Sequence, residues 1–317
     1  MIGAMEKQIT PHVHQVGTFE FTQYLIGGPP YFLMEGGIAP QGLLILEQLR
    51  NQGVTPENLQ YLGILHGHFD HLGTFPLVME NFPETHVVSG EKNRDILSRP
   101  RILEKIASST HSITDFAKRV EFVPRIYEQK SFSPFPIQHP IQEGDTLTFD
   151  SLSLEFVSLP GHSPDAVGAY LSEDGVFFCS DMGGLYFPDG TIRPNYYYNL
   201  RDYETSLQKI STYEIETLCF GHNGVLSGYK KVKTYLERSL DFTHKLKKQI
   251  KDWFDSGRDL EKLAQQFADG AKKGFLAFFP REHSLMLSRL LIRRTLEYYH
   301  LELPPNLFPT PSPTKGT

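Results

Sequence analysis

Cysteine is scarce: Cys179 and Cys219 are the only two in 317 residues, too few for a disulfide framework in a chain of this size. Both sit in apolar, strand-like runs, VFFCSD and ETLCFGH, so each reads as a buried small hydrophobe rather than a reactive thiol. No run of about 18 apolar residues offers a membrane span. The first residues, MIGAMEKQITPHVHQV, lack the basic start and apolar stretch of a secretory leader, so the expectation is a cytoplasmic protein with no membrane partner. A surplus of positive charge is missing too. The formal net charge of −6 gives no overall attraction for nucleic acid, which counts against a nucleic-acid partner. What remains, 39% hydrophobic residues with 12% aromatic, suits a packed globular core, and the chain is expected to fold alone, with a homodimer left open.

Extended runs at 13–16, 21–26 and 31–37, with Gly27-Gly28-Pro29-Pro30 as a turn between the last two, predict a β-meander. Apolar residues at three- and four-residue spacing predict a helix over 42–52, followed by a strand over 61–65, a helix over 74–80, a strand over 86–89 and a helix from Glu91. This alternation points to sheets covered by helices. Between Arg99 and Lys130 the chain is polar with scattered apolar residues, and irregular helices or a loop insertion over one edge are expected. Strands are expected again over 136–142, 152–159, 168–171, 176–179 and 217–220, with a helix near 203–213.

Beyond Gly228, Val232, Leu236, Leu240, Leu246, Ile250 and Trp253 recur at helical spacing, and further helical patterns run over 260–267 and 282–299. The division expected is a core over 1–227, a helical C-terminal module over 228–303 that docks on it, and a flexible Pro-, Ser- and Thr-rich tail over 304–317.

The chemistry concentrates in one run. His66-x-His68-x-Asp70-His71 follows the apolar strand directly, and alternating residues of an extended segment face one side. His66 and His68 can therefore face one metal while a tight turn directs Asp70 and His71 to a second. Further His and Asp residues stand where later strands meet loops: His162 in PGHSPD, Asp181 in CSDMGG and His222 in FGHNG. Imidazole with carboxylate suits zinc, iron or manganese.

This series of motifs resembles the metallo-β-lactamase superfamily over about residues 12–225, and to roughly residue 300 with the helical module. The resemblance implies an α/β fold, an αββα sandwich with an added helical C-terminal module, and two divalent metal ions, zinc or iron before manganese. It puts His66, His68 and His162 on one ion, Asp70, His71 and His222 on the other, and Asp181 between them, with a metal-bridging hydroxide as nucleophile and with Asp70 and Asp181 as the catalytic acids of the set. Asp70 differs from the Cys-containing second site of true β-lactamases, and the run lacks the Glu of flavodiiron oxygen reductases, so hydrolysis is implied rather than redox chemistry. The YFLMEGG strand, HGHFDHLG, PGHSPD and the helical C-terminus are most similar to the thioesterase branch that includes PqsE and glyoxalase II, although glyoxalase II-type enzymes carry Asp-Thr-Gly or similar where Glu35-Gly36-Gly37 stands. Many relatives also have a His where this chain has Ala166.

The expected function is therefore hydrolysis of a small thioester, acyl-coenzyme A-like, or of another carboxylic ester or lactone. A binuclear centre activates water for acyl and phosphoryl transfer alike, so a phosphodiesterase or RNA-processing nuclease remains an alternative, as does a regulatory protein that keeps a metal site. Asp165 is either a partner of a ligand imidazole or part of a turn, and Tyr196-Tyr197-Tyr198 either line a pocket or pack. The basic residues from Lys230 to Lys251 form either a solvated helix face or an anion site, and Arg281, Glu282 and His283 either reach the pocket or occupy an exposed first turn.

Overall fold

The computed structural model describes residues 5–270 and 274–302. The first sheet takes β1 (Lys7–Thr10), β2 (Val13–Gly17), β3 (Thr22–Ile26), β4 (Tyr31–Met34), β5 (Leu59–Ile64), β6 (His86–Gly90) and β7 (Ile137–Ile141) in that spatial order. Its early strands pair antiparallel, as tight turns allow, whereas β4 to β7 are parallel because helices α1 (Gly42–Asn51), α2 (Phe75–Asn81), α3 (Glu91–Ile96) and α4 (Pro100–Arg119) fill the connections. The second sheet runs β15 (Val225–Ser227), β14 (Thr217–Phe220), β11 (Val176–Ser180), β10 (Val167–Leu171), β9 (Leu152–Ser158) and β8 (Thr146–Phe149).

The period of two along each strand separates the layers. Leu25 and Leu33 point to the helix side and pack with Ile45, Leu49, Val78 and Ile106. Their neighbours Tyr24 and Phe32 point the other way and meet Leu154, Phe156 and Phe178 of the second sheet. On that sheet Phe177 faces outward, against Leu207 of α5 (Leu200–Ile210) and Val232 and Leu236 of α6 (Tyr229–Asp255). The order of layers is helix, sheet, sheet, helix, an αββα sandwich.

Where irregular helices or a loop insertion were expected between Arg99 and Lys130, residues 100–119 form one continuous helix. Pro100 stands at its N-terminus, where a missing N–H costs nothing, and Leu103, Ile106, Thr110, Ile113 and Ala117 keep a buried stripe at three- and four-residue spacing. The stripe is interrupted by Ser and Thr, which hid it in the sequence. After α6 come α7 (Leu260–Asp269), a short 3-10 turn over Gly274–Phe278 and α8 (Arg281–Tyr298). The three helices share a core of Ile250, Leu263, Ala264, Ile292 and Leu296, and Leu291 of α8 also joins the core over the second sheet. The Pro-rich tail lies outside the described residues. Among the described residues no helix is long and apolar enough to cross a membrane.

Candidate metal centre

All seven residues singled out in the sequence converge at one edge of the sandwich, each just past the end of a strand. His66, His68, Asp70 and His71 follow β5, His162 follows β9, Asp181 follows β11 and His222 follows β14. The backbone is forced where it delivers them. Ser180, immediately before Asp181, and Asn223, immediately after His222, have left-handed φ of 50° and 61°, as does Glu35 at 69°. Such conformations persist in non-glycine residues only where surrounding structure holds them. Gly221 is required by a close approach, since a Cβ there would lie 2.4 Å from Cε1 of His71.

The side chains fall into two sets. His68 Nδ1 lies 3.1 Å from Nε2 of both His66 and His162, which gathers three imidazole nitrogens around one point. Asp70, His71 and His222 form the second group, with Asp70 Oδ2 3.5 Å from His222 Nε2. Asp181 stands between the sets: its Oδ2 is 3.4 Å from His162 Nε2, while its Oδ1 is 3.7 Å from His71 Nε2 and 3.6 Å from His222 Nε2. His68 is exposed and opens the cluster to solvent; the others are buried.

The far ring nitrogens are already occupied. His71 Nδ1 lies 2.7 Å from Glu35 Oε2, His162 Nδ1 is 2.9 Å from the carbonyl of Asn195, His222 Nδ1 is 2.9 Å from the carbonyl of Glu20, and His66 Nδ1 is 3.2 Å from Ser180 Oγ. For His66, His162 and His222 a proton on Nδ1 leaves the Nε2 lone pair facing into the cluster, while His71, held by Glu35, presents its Nε2 there once a cation displaces the second proton. Nε2 of His71 and Nε2 of His222 are buried with no hydrogen-bond partner. A buried ring nitrogen left without a partner is costly, and a cation held between the sets removes that cost. The donor set therefore fits a pair of divalent ions held by nitrogen and carboxylate oxygen.

The electrostatics set His71 apart from the other ligands. Burial, reinforced by the neighbouring imidazoles, holds His66 and His162 well below the usual histidine range, and burial with His71 beside it takes His222 down to about 3. Burial also lowers His71, but Glu35, Asp181 and Asp70 outweigh it and push that imidazole up to about 10. Asp181 is raised to about 7 by burial, against the pull of His71.

Three supporting residues were not identified in the sequence. Glu35 follows an apolar strand and stood in the sequence only as part of Glu35-Gly36-Gly37, with nothing that marked it as the partner of an imidazole. Asn195 holds both His162, through its carbonyl, and the carbonyl of Asp181, through Nδ2 at 2.9 Å. Phe275 stacks flat on His222, ring centroids 3.7 Å apart. Asp165 proves to hold backbone rather than imidazole: its Oδ2 accepts the Gly67 N–H at 2.6 Å, fixing the link between His66 and His68. Ala166 is buried in the core over the second sheet. Of the tyrosines, Tyr196 packs in the core, Tyr198 is exposed and Tyr197 lies 5.3 Å from His162, lining a cleft. Arg281 and Glu282 are exposed, whereas His283 is half-buried against Phe279, feels the charge of Asp70 and is lowered by burial. Both cysteines are fully buried, their thiols pushed up by burial.

Comparison with known proteins agrees with this geometry. The chain is 23% identical over 201 residues to a beta-lactamase-like protein 2 homolog of Caenorhabditis elegans, a match covering 62% of this chain and 54% of the relative. It is 29% identical over 161 residues to hydroxyacylglutathione hydrolase GloC of Haemophilus influenzae, covering 49% and 62%. The chain thus spans less than two thirds of these curated relatives. Among solved structures, a stereoselective inverting sec-alkylsulfatase from Pseudomonas sp. superposes with a TM-score of 0.62 over 97% of this chain and 52% of that one, at 17% identity, a likeness of fold. The family profile described as the metallo-beta-lactamase superfamily matches residues 22–222, most of the αββα sandwich and all seven residues of the cluster. The chain belongs to the metallo-β-lactamase superfamily, whose members are mostly metal-dependent hydrolases and typically bind divalent metals.

Proposed function

We propose that this protein is a binuclear metal-dependent hydrolase of a small thioester or other carboxylic ester, with His66, His68 and His162 holding one ion, Asp70, His71 and His222 the other, and Asp181 spanning both. The observation that carries the reading is the position of Asp181, whose two oxygens each face a different imidazole set. Two divalent ions in this cluster supply a lowered pKa for water and polarisation of the acyl carbonyl. The chain supplies the rest. Glu35, Asn195 and the Glu20 carbonyl orient three of the imidazoles, Asp165 fixes the loop that carries His68, and Phe275 screens one face of His222 from water.

The acyl rather than phosphoryl substrate is supported by the small cleft at Tyr197, the neighbour of His162, whose walls include Leu185, Leu276, Leu287 and Leu291. It is also supported by the named activity of the H. influenzae relative, a hydroxyacylglutathione hydrolase. Along α6, Lys245, Lys247, Lys248 and Lys251 pair with Asp241, Glu204, Asp252 and Asp255, so half of the eight basic residues between Lys230 and Lys251 are already neutralised. Turnover of the metal-loaded protein on acyl-coenzyme A thioesters, lactones and bis(p-nitrophenyl) phosphate tests the reading. Preferred hydrolysis of the thioesters or lactones is expected, and cleavage of the phosphodiester alone would overturn it.

A further inference from the structure

The first turn of α8 brings one more imidazole to the open side of the metal centre. His283 stacks on Phe279, with ring centroids 4.6 Å apart and planes inclined by 19°. Phe279 in turn meets two rings edge-on. One is Phe69 at 6.1 Å, which stands between His68 and Asp70 in the chain, and the other is Phe275 at 6.0 Å, which lies flat on His222. Three aromatic rings thus tie His283 to segments that carry members of both ligand sets.

The rotation of α8 is fixed on its other sides. Ser284 and Leu287 line a small cleft with Leu185 of the hairpin strand β12 (Leu185–Tyr186) and Arg193 of its partner β13 (Ile192–Arg193). Arg281 and Arg289 pair with Asp269 and Glu261 of α7. His68, the exposed member of the cluster, marks the open side, and Phe69, Phe279 and His283 around it are half-buried. The imidazole of His283 lies within the field of Asp70 and of His68, one member of each set.

Its ring nitrogens are uncommitted. Glu35, Ser180, Asn195 and Glu20 hold the Nδ1 atoms of four proposed ligands, but among the described residues no hydrogen bond or ion pair engages the His283 ring, and neither of its nitrogens is sealed from solvent. Burial lowers this imidazole below the usual histidine range; Asp70 opposes that lowering and His68 adds to it. The positive end of α8 also disfavours a second proton on the ring. At neutral pH His283 is therefore uncharged, with one nitrogen able to donate and the other to accept. An uncharged imidazole of this kind, open towards a hydrolytic centre, is suited to moving a proton.

We propose that His283 is a catalytic residue, the proton relay to the leaving group, contacting the leaving sulfur or oxygen of an acyl substrate bound at the mouth between His68 and Phe279. This rests on the acyl-hydrolase reading given above. As water's oxygen bonds to the acyl carbon, a ring nitrogen of His283 accepts one of its protons. As the C–S or C–O bond breaks, the imidazolium returns that proton to the departing thiol or alcohol, so the ring ends uncharged. The second proton of the water is released by the new carboxylic acid.

The test uses the full, metal-reconstituted chain and two readouts. In the first, kcat/KM is measured for one acyl group on four leaving groups, as alkyl and phenyl thioesters and as ethyl and p-nitrophenyl esters. The alkyl members depart only with a proton, whereas the aryl members depart as stable anions. In His283→Phe, which keeps a ring to stack on Phe279, and in His283→Gln, the alkyl substrates should slow by about 10²- to 10⁴-fold while the aryl substrates stay within about threefold of the parent. A merely structural role for His283 would slow both kinds alike. In the second, carbethoxylation of His283 by diethyl pyrocarbonate is followed by peptide mass spectrometry. The ketone in which a methylene replaces the thioester sulfur should slow it severalfold.

The proposal stands only if both results are found. Equal losses on alkyl and aryl substrates, or no loss on either, overturn the relay and leave the hydrolase reading standing. A His283 that does not react, or reacts at the same rate with the ketone present, overturns its placement against the substrate. Absence of hydrolysis of all four substrates by the parent overturns the acyl-hydrolase reading and the relay with it.

Discussion

Glu35 Oε2 lies 2.7 Å from Nδ1 of His71, and both side chains are 1% exposed. A carboxylate in that position fixes the imidazole tautomer and aims Nε2 at the cluster, and it is reached only because Glu35 leaves β4 with a left-handed φ. Glu35→Ala is therefore expected to weaken binding of the ion held by His71 by about 10- to 100-fold, as measured by competition with a chelator. An unchanged affinity would show that Glu35 does not position His71.

Asp181 and Asp165 are both buried carboxylates near the histidines, yet their contacts differ. Asp181 faces both imidazole sets, whereas Asp165 reaches the Gly67 N–H. Asp181→Ala should lose hydrolysis by several orders of magnitude with the fold intact, while Asp165→Ala should cost about 10- to 100-fold. Equal, small losses in steady-state assays would show that Asp181 does not span the centre.

Metal uptake should release protons. Without an ion His71 titrates near 10 and Asp181 near 7, so at pH 7 the imidazole carries a proton and the carboxylate is partly protonated. An ion displaces both, and apparent affinity should rise about tenfold per pH unit for each proton displaced, up to the pKa of the group concerned. Calorimetry in two buffers of different ionisation enthalpy measures the protons released; equal heats in both buffers at pH 7 would contradict the assignment.

The sequence made the cluster legible because its members stand at strand ends, and strand ends on one edge of a sheet must meet. The imidazole-rich run after β5 sets that edge, and His162, Asp181 and His222 follow strands of the facing sheet. The sheet strands with continuous apolar runs, such as Val176–Ser180, were equally plain. Glu35 was not, since its value lies in a partner 36 residues away. Nor was the stacking of Phe275 on His222, which depends on how the C-terminal helices dock and leaves no periodic trace. Helix α4 was hidden because Ser108, Ser109, Thr110, Ser112 and Thr114 lower its apolar contrast while its buried stripe remains.

The helices after Gly228 cover the outer face of the second sheet with Val232, Tyr235, Leu236 and Leu291. A chain ending at Ser227 uncovers Phe177, Leu218 and Phe220, and each large side chain returned to water costs about 1.5 to 3 kcal/mol. Such a chain should show no cooperative melt in thermal denaturation followed by circular dichroism. A sharp transition at the parent temperature would show that these helices are dispensable to the core.

The account depends most on the claim that one cluster holds two ions, and metal content measures this directly. After reconstitution with zinc, iron or manganese and removal of unbound ion, elemental analysis should find close to two ions per native chain, and at most one when His71 and His222 are both replaced by Ala, since Nε2 of each is buried without a hydrogen-bond partner. One ion or none in the native chain under all three metals would contradict it.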